Sequence, residues 1–186
     1  MILWVLLGLI VILVVAVASS YNGLVSLKNQ ALNGWKQIDV QLKRRHDLIP
    51  NLVETVKGVM KFEQSTLTQV IEARNKAVSA QSIPEKAAQE NALTQSLRQL
   101  FALVENYPNL KANENVAKLQ EELVSTENRI GFARQFYNDI ATKFNIAQDT
   151  FPVNMIANMF GFKHSELFEI TDASEKEVPK VNLDLK

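Results

Sequence analysis

Seventeen consecutive residues, Ile2 to Ala18, form an apolar run interrupted only by Gly8. At about 1.5 Å of rise per residue a helix of this length covers about 25 Å, close to the roughly 30 Å hydrocarbon core of a bilayer. Inside lipid a lone segment satisfies its backbone only as a helix, so this feature constrains the chain more than any other. Ser19, Ser20 and the amphipathic Tyr21 complete the span at the interface. Ala16-Val17-Ala18 before Ser19 also resembles the small-residue cleavage site of a signal peptide. No Lys or Arg precedes the run, however, and the helical pattern resumes directly after Ser20. Residues 1–20 are therefore read as a transmembrane anchor.

Charge sets the expected orientation. Lys28, Lys36, Lys43, Arg44 and Arg45 follow the span, against Asp39, and no cation precedes it. The positive-inside rule then puts the N-terminus outside and residues from Tyr21 onward in the cytoplasm, as a single-pass protein of the cell membrane. Over the whole chain Lys plus Arg and Asp plus Glu balance at 20 each, which gives no case for a nucleic-acid partner. With no Cys there is no disulfide, thiolate metal site or Cys nucleophile. Only 6 Gly and 5 Pro punctuate the 186 residues, as expected of long helices.

Val116, Leu123, Ile130, Tyr137, Phe144 and Phe151 recur at intervals of seven, with Leu119, Thr126, Ala133, Ile140 and Ala147 as a second seam. Matching apolar sides run through Leu24 to Asp47, Asn51 to Ala80 and Glu85 to Glu105. Ser82-Ile83-Pro84-Glu85 opens the third of these as a capping box, and Tyr107-Pro108-Asn109 breaks the chain before the last helix. A heptad could also serve a dimeric coiled coil, but several matched seams in one chain favour an internal bundle. The fold expected is all-α: an N-terminal transmembrane helix followed by an antiparallel four-helix bundle over residues 21–163, then an acidic flexible tail over 164–186.

Pro50 is the difficult point. The heptad phase through Trp35, Leu42, Ile49 and Val56 is unbroken, as one long helix kinked at Pro50 would show. Proline inside a helix removes a hydrogen bond, and four antiparallel helices close a core better than one rod of about 90 Å. A reversal near His46 to Pro50 is therefore expected. In that register Arg45 faces Glu127, and a structural ion pair is expected because an inward-leaning guanidinium without a partner is costly.

Two long strings carry a resemblance to a known family. One is Tyr21-Asn22-Gly23-Leu24-Val25 followed by Trp35-Lys36-Gln37-Ile38-Asp39-Val40-Gln41-Leu42-Lys43-Arg44-Arg45-His46-Asp47-Leu48-Ile49-Pro50-Asn51-Leu52-Val53. The other is Glu105-Asn106-Tyr107-Pro108-Asn109-Leu110-Lys111-Ala112-Asn113, then Thr126-Glu127-Asn128-Arg129-Ile130 and Ala133-Arg134-Gln135-Phe136-Tyr137-Asn138. Over most of residues 21–163 the chain resembles the LemA family. The resemblance implies a membrane-anchored helical bundle and supplies no catalytic residues to carry over.

Candidate sites are few. His46 and His164 lie outside any metal-ligand spacing, the glycines form no phosphate loop, and neither a catalytic group nor a cofactor is expected. Lys43 and Arg44 are candidates for an acidic contact. Glu127, Gly131, Arg134 and Asn138 share a stripe beside the last seam, either as a buried polar network or as a partner groove, with Gly131 letting another backbone approach. Met155, Ile156, Met159 and Phe160 form one face of a short helix closed by Gly161. With Phe162, that segment either caps the core or meets lipid or a partner. The function expected is a non-catalytic interaction or scaffold protein with membrane lipid, an unidentified protein, or its own copies as partners. Membrane remodelling by lateral assembly, or an enzyme with a cryptic site between helices, are the alternatives.

Overall fold

The computed structural model describes residues 1–60 and 63–169. Six helices follow in order: α1 (Ile2–Lys57), α2 (Gln64–Ser79), α3 (Ile83–Val104), α4 (Pro108–Lys111), α5 (Glu114–Asp149) and α6 (Val153–Met159), with no strand among the described residues. The all-α class and the antiparallel bundle are as the heptads require.

The expected reversal near His46 to Pro50 does not occur. The α1 helix runs unbroken for 56 residues with Pro50 inside it. Proline leaves the carbonyl four residues earlier without its helical donor, which here is that of His46. The Arg74 guanidinium of α2 supplies the missing donor, its Nε 3.1 Å from the His46 oxygen. With that carbonyl satisfied, the seam Ile49, Leu52 and Val56 stays buried in phase. The turn comes instead after Lys57. There Val59 and Met60 donate back to the Val56 carbonyl, and the Met60 side chain is fully buried.

Capping places the other ends. Ser82 accepts the Glu85 N–H at 3.3 Å while Glu85 Oε2 takes the Gln81 N–H at 3.0 Å, opening α3. Asn113 caps α5 by accepting the N–H of Asn115 and of Val116.

Helix length then divides the molecule. At 16 and 22 residues, α2 and α3 are shorter than the 36-residue α5 and cover only one end of it. That end is a four-helix head, whose core joins Ile49, Leu52 and Val56 of α1 to Val70 of α2, Leu93, Leu97 and Leu100 of α3, Leu110 of α4, and Val116 and Leu123 of α5. Below it α1 and α5 continue as an antiparallel pair, the stem, through Ala31, Ile38, Leu42, Ile130, Tyr137, Ile140 and Ala141. The α5 backbone comes close at Gly34, where a Cβ would lie 3.3 Å from the Tyr137 Cα and 3.3 Å from Phe136 Cδ1. Gly131, expected to play that part, faces open space. At the base, α6 packs Ala157 against Leu24 and Phe144.

The segment after α6 corrects the boundary of the tail. Residues 164–169 lie along the stem as an extended strap, with Phe168 1% exposed. Asn145 exchanges two hydrogen bonds with the Ser165 backbone at 2.9 and 2.8 Å, and Asn138 does the same with Phe168 at 3.1 and 2.9 Å. Seven residues of helix and three of extended chain both span about 10 Å, so two asparagines one heptad apart meet two strap residues three apart. The acidic tail expected beyond residue 169 lies outside the described residues.

Candidate functional site

Two charges sit where the heptads call for apolar side chains. Leu24, Ala31, Ile38, Arg45 and Leu52 are buried positions of α1 at intervals of seven, and so are Glu90, Leu97 and Val104 of α3. Arg45 and Glu90 are only 3% and 4% exposed and meet at the junction of head and stem. Arg45 Nη1 lies 3.3 Å from Glu90 Oε2 and 3.0 Å from Glu127 Oε2, and Nη2 donates to Thr94 Oγ1 at 2.7 Å. His46 Nε2 is 2.6 Å from Glu90 Oε1. A carboxylate only accepts, so this ring nitrogen carries the hydrogen.

Glu90 is therefore the hub between a guanidinium and an imidazole, with Glu127 on the solvent side at 41% side-chain exposure. Sequence reasoning reached Arg45 and Glu127 and missed Glu90, Thr94 and the part played by His46. The signal was present: extending the Leu97–Val104 seam back by seven lands on Glu90.

The cluster's chemistry is inward. Each charged group is already engaged by another, and the pocket between Arg45, Thr94 and Glu127 is about 170 Å³, below the roughly 300 Å³ at which small-molecule sites begin. Among the described residues no group of three or more His, Asp or Glu could hold a metal ion.

The other candidates separate into two kinds. Arg134 and Asn138 are occupied by the chain itself: the Arg134 guanidinium lies 4.7 Å over the Phe168 ring, and Asn138 clamps the Phe168 backbone. Beside them the Tyr137 hydroxyl donates to the Glu166 carbonyl at 2.6 Å; burial pushes its phenol pKa up, and the Glu166 charge adds to this. Arg44 reaches Glu122 at 3.5 Å with both side chains about half exposed, and Lys43 is exposed beside it. Phe162 turns inward onto Phe144 and Tyr21, with the Lys28 ammonium 5.8 Å from its ring.

Beyond the anchor, apolar faces stay open among the described residues on the stem and at α6. One is a groove of about 590 Å³ along the stem between Lys36, Val40 and Gln41 of α1 and Arg129, Phe132 and Phe136 of α5. The second is the outer side of α6. Ile156 turns into the core, whereas Phe151, Met155, Met159 and Phe160 stay outside. Residues 1–16 are also exposed throughout, and by length and composition this part of α1 is apolar enough to cross a membrane.

A model of the LemA family matches residues 34–183. Magnetosome protein MamQ 2 of Paramagnetospirillum magneticum is 25% identical over 181 residues, covering 83% of this chain and 66% of its own length. Magnetosome protein MamQ of Magnetospirillum gryphiswaldense gives the same 25% over 181 residues, with the same coverage of 83% and 66%. Protein LemA of Metamycoplasma hominis is 27% identical over 161 residues, 84% of this chain and 72% of its own. The chain thus spans just under two-thirds of the length of these magnetosome proteins.

Proposed function

Because the chain belongs to the LemA family, we propose that it is a non-catalytic, membrane-anchored interaction protein that holds a rigid helical head at a fixed distance from the bilayer. One observation carries this reading: the helix that bears the apolar run is also the central core helix of the bundle, without a break from Ile2 to Lys57. A cleavable leader joined to an independent domain does not need that continuity. The stem groove, with Phe132 and Phe136 exposed, is the surface offered to a protein partner or to a second copy. Its length along the stem also favours side-by-side assembly in the membrane as the second reading. The bundle faces the cytoplasm, following the cations after the span.

The chain lacks Cys, so a Val124→Cys variant gives a single thiol on the exposed surface of the head. The protein should resist carbonate extraction, and the thiol should stay unlabelled by an impermeant maleimide until cells are lysed. Release by carbonate would overturn the anchor, and labelling of intact cells would reverse the orientation. Purification in mild detergent should bring down a stoichiometric partner or an oligomer that Phe132→Glu abolishes. A solitary monomer would count against the interaction role.

A further inference from the structure

We infer that the outer face of α6 is an interfacial lipid-binding collar, seated in the headgroup layer beside the anchor. The inference rests on the anchored reading above and adds a second, shallow membrane contact to it.

Depth is the first argument. Gly34 stands over Tyr137. Thirteen residues down α1 and thirteen along α5, Tyr21 and Thr150 therefore come level. The chain leaves α5 at that level and turns into α6, and the Tyr21 ring lies 4.7 Å from that of Phe160. Tyr21 follows the last apolar residue of the run, Ala18, by three positions, or about 4.5 Å of helix. The polar layer on each side of the hydrocarbon core is roughly 5–8 Å deep. An anchor that fills the core thus delivers Tyr21, Phe151 and Phe160 into that layer.

Composition is the second. Phe151, Met155, Met159 and Phe160 are 75%, 65%, 67% and 52% exposed, while Ile156 and Ala157 of the same short helix are buried against the stem. The helix is therefore held in place from within and leaves large, flexible or aromatic side chains outward, with the Tyr21 ring beside Phe160 and the rest open among the described residues. Aromatic and thioether side chains at the depth of a Tyr suit the boundary between acyl chains and headgroups. A protein partner would have to enter the headgroup layer to reach the same face, so lipid is the occupant the depth selects.

Full-length protein reconstituted in phosphatidylcholine–phosphatidylglycerol vesicles tests this, using single-Cys variants bearing an environment-sensitive fluorophore at Met155→Cys or Met159→Cys. Ile12→Cys reports the anchor and Val124→Cys the exposed head. Labels at 155 and 159 should show blue-shifted emission, quenching by headgroup-proximal lipid quenchers and protection from iodide. The label at 12 should answer only to deep quenchers and that at 124 only to iodide. A lipid-buried label at 12 with iodide-accessible labels at 155 and 159 would sink the collar and leave the anchor standing. A label at 12 in water would overturn both. Protection at 155 and 159 from iodide and lipid quenchers alike, lost at one chain per vesicle, would assign the face to a second copy instead. The exposed positions keep the fold out of question: Met155→Glu with Met159→Glu should leave the helical circular dichroism unchanged while a label at Phe151→Cys loses its blue shift.

Discussion

The head and the stem are built from the same two long helices and are stabilised in different ways. In the head, α2 and α3 complete a four-helix core in which Ile49, Leu52, Val56, Val70, Leu93 and Leu100 are inaccessible to solvent. Along the stem α1 and α5 pack on each other, with the start of α3 at Ile83 and Ala87 and the strap beside them and a groove left open between Val40 and Phe132. Apolar burial dominates in the head, at roughly 1.5–3 kcal/mol for each fully buried aliphatic side chain. The stem replaces part of that with directed polar contacts, the two asparagine clamps and the Tyr137 hydrogen bond. Two helices bury one stripe each, so a two-helix element has to recruit chain from elsewhere, and the strap supplies it.

The junction should be the place where both regions fail together. Replacing Glu90 by Ala leaves Arg45 and His46 without their shared buried acceptor, and is expected to cost about 3–5 kcal/mol. Loss of the head and stem transitions at one lowered denaturant midpoint would be the signature; an unchanged midpoint would show the cluster to be dispensable. Next, Leu100→Ala in the head is expected to cost about 3 kcal/mol through its cavity. Hydrogen exchange should rise in α2 and α3 well before the strap amides of 165 and 168 are affected.

Asn138→Ala acts in the opposite sense. It removes both contacts to the Phe168 backbone, about 1–3 kcal/mol. It should expose the strap to proteolysis while the head keeps its exchange protection. The Tyr137 phenol sharpens the same contrast. Its pKa is raised above 10.0 in the folded chain, so the unfolded chain gives up its proton first as pH rises. Strap stability is therefore complete below pH 10.0 and falls above it. Tyr137→Phe should remove that alkaline dependence in a pH series of strap proteolysis. Smallest of all, Arg44→Ala at the exposed pair with Glu122 should shift the midpoint by no more than about 0.5 kcal/mol.

What the sequence revealed follows the same division. The seams of α3 and α5, the cap at Ser82 and the break at Tyr107-Pro108 stand close to where periodicity and turn chemistry put them, because those signals are local. Pro50 misled because its remedy is distant: nothing near the proline announces that Arg74, on another helix, will take the His46 carbonyl. The single helix was visible in the unbroken phase through Ile49 and Val56, and packing outweighed the local penalty. Glu90 was hidden by reading its helix only from Leu93 onward. An acid and a base at core positions of two helices, Glu90 and Arg45, point to each other once both seams are extended. The strap escaped because acidic neighbours masked Leu167 and Phe168, and because Asn138 and Asn145 look like ordinary surface residues until an extended chain lies across them.

The unbroken α1 has a mechanical consequence. From Tyr21 to Lys57 it reaches about 55 Å with no joint, so the head cannot swing independently of the segment that carries it. Where the first twenty residues span a bilayer, their tilt follows its thickness. A change of five degrees at the foot of such a lever sweeps the far end through about 5 Å. The head becomes a pointer that converts the thickness of the lipid around one helix into a displacement a neighbouring molecule can sense.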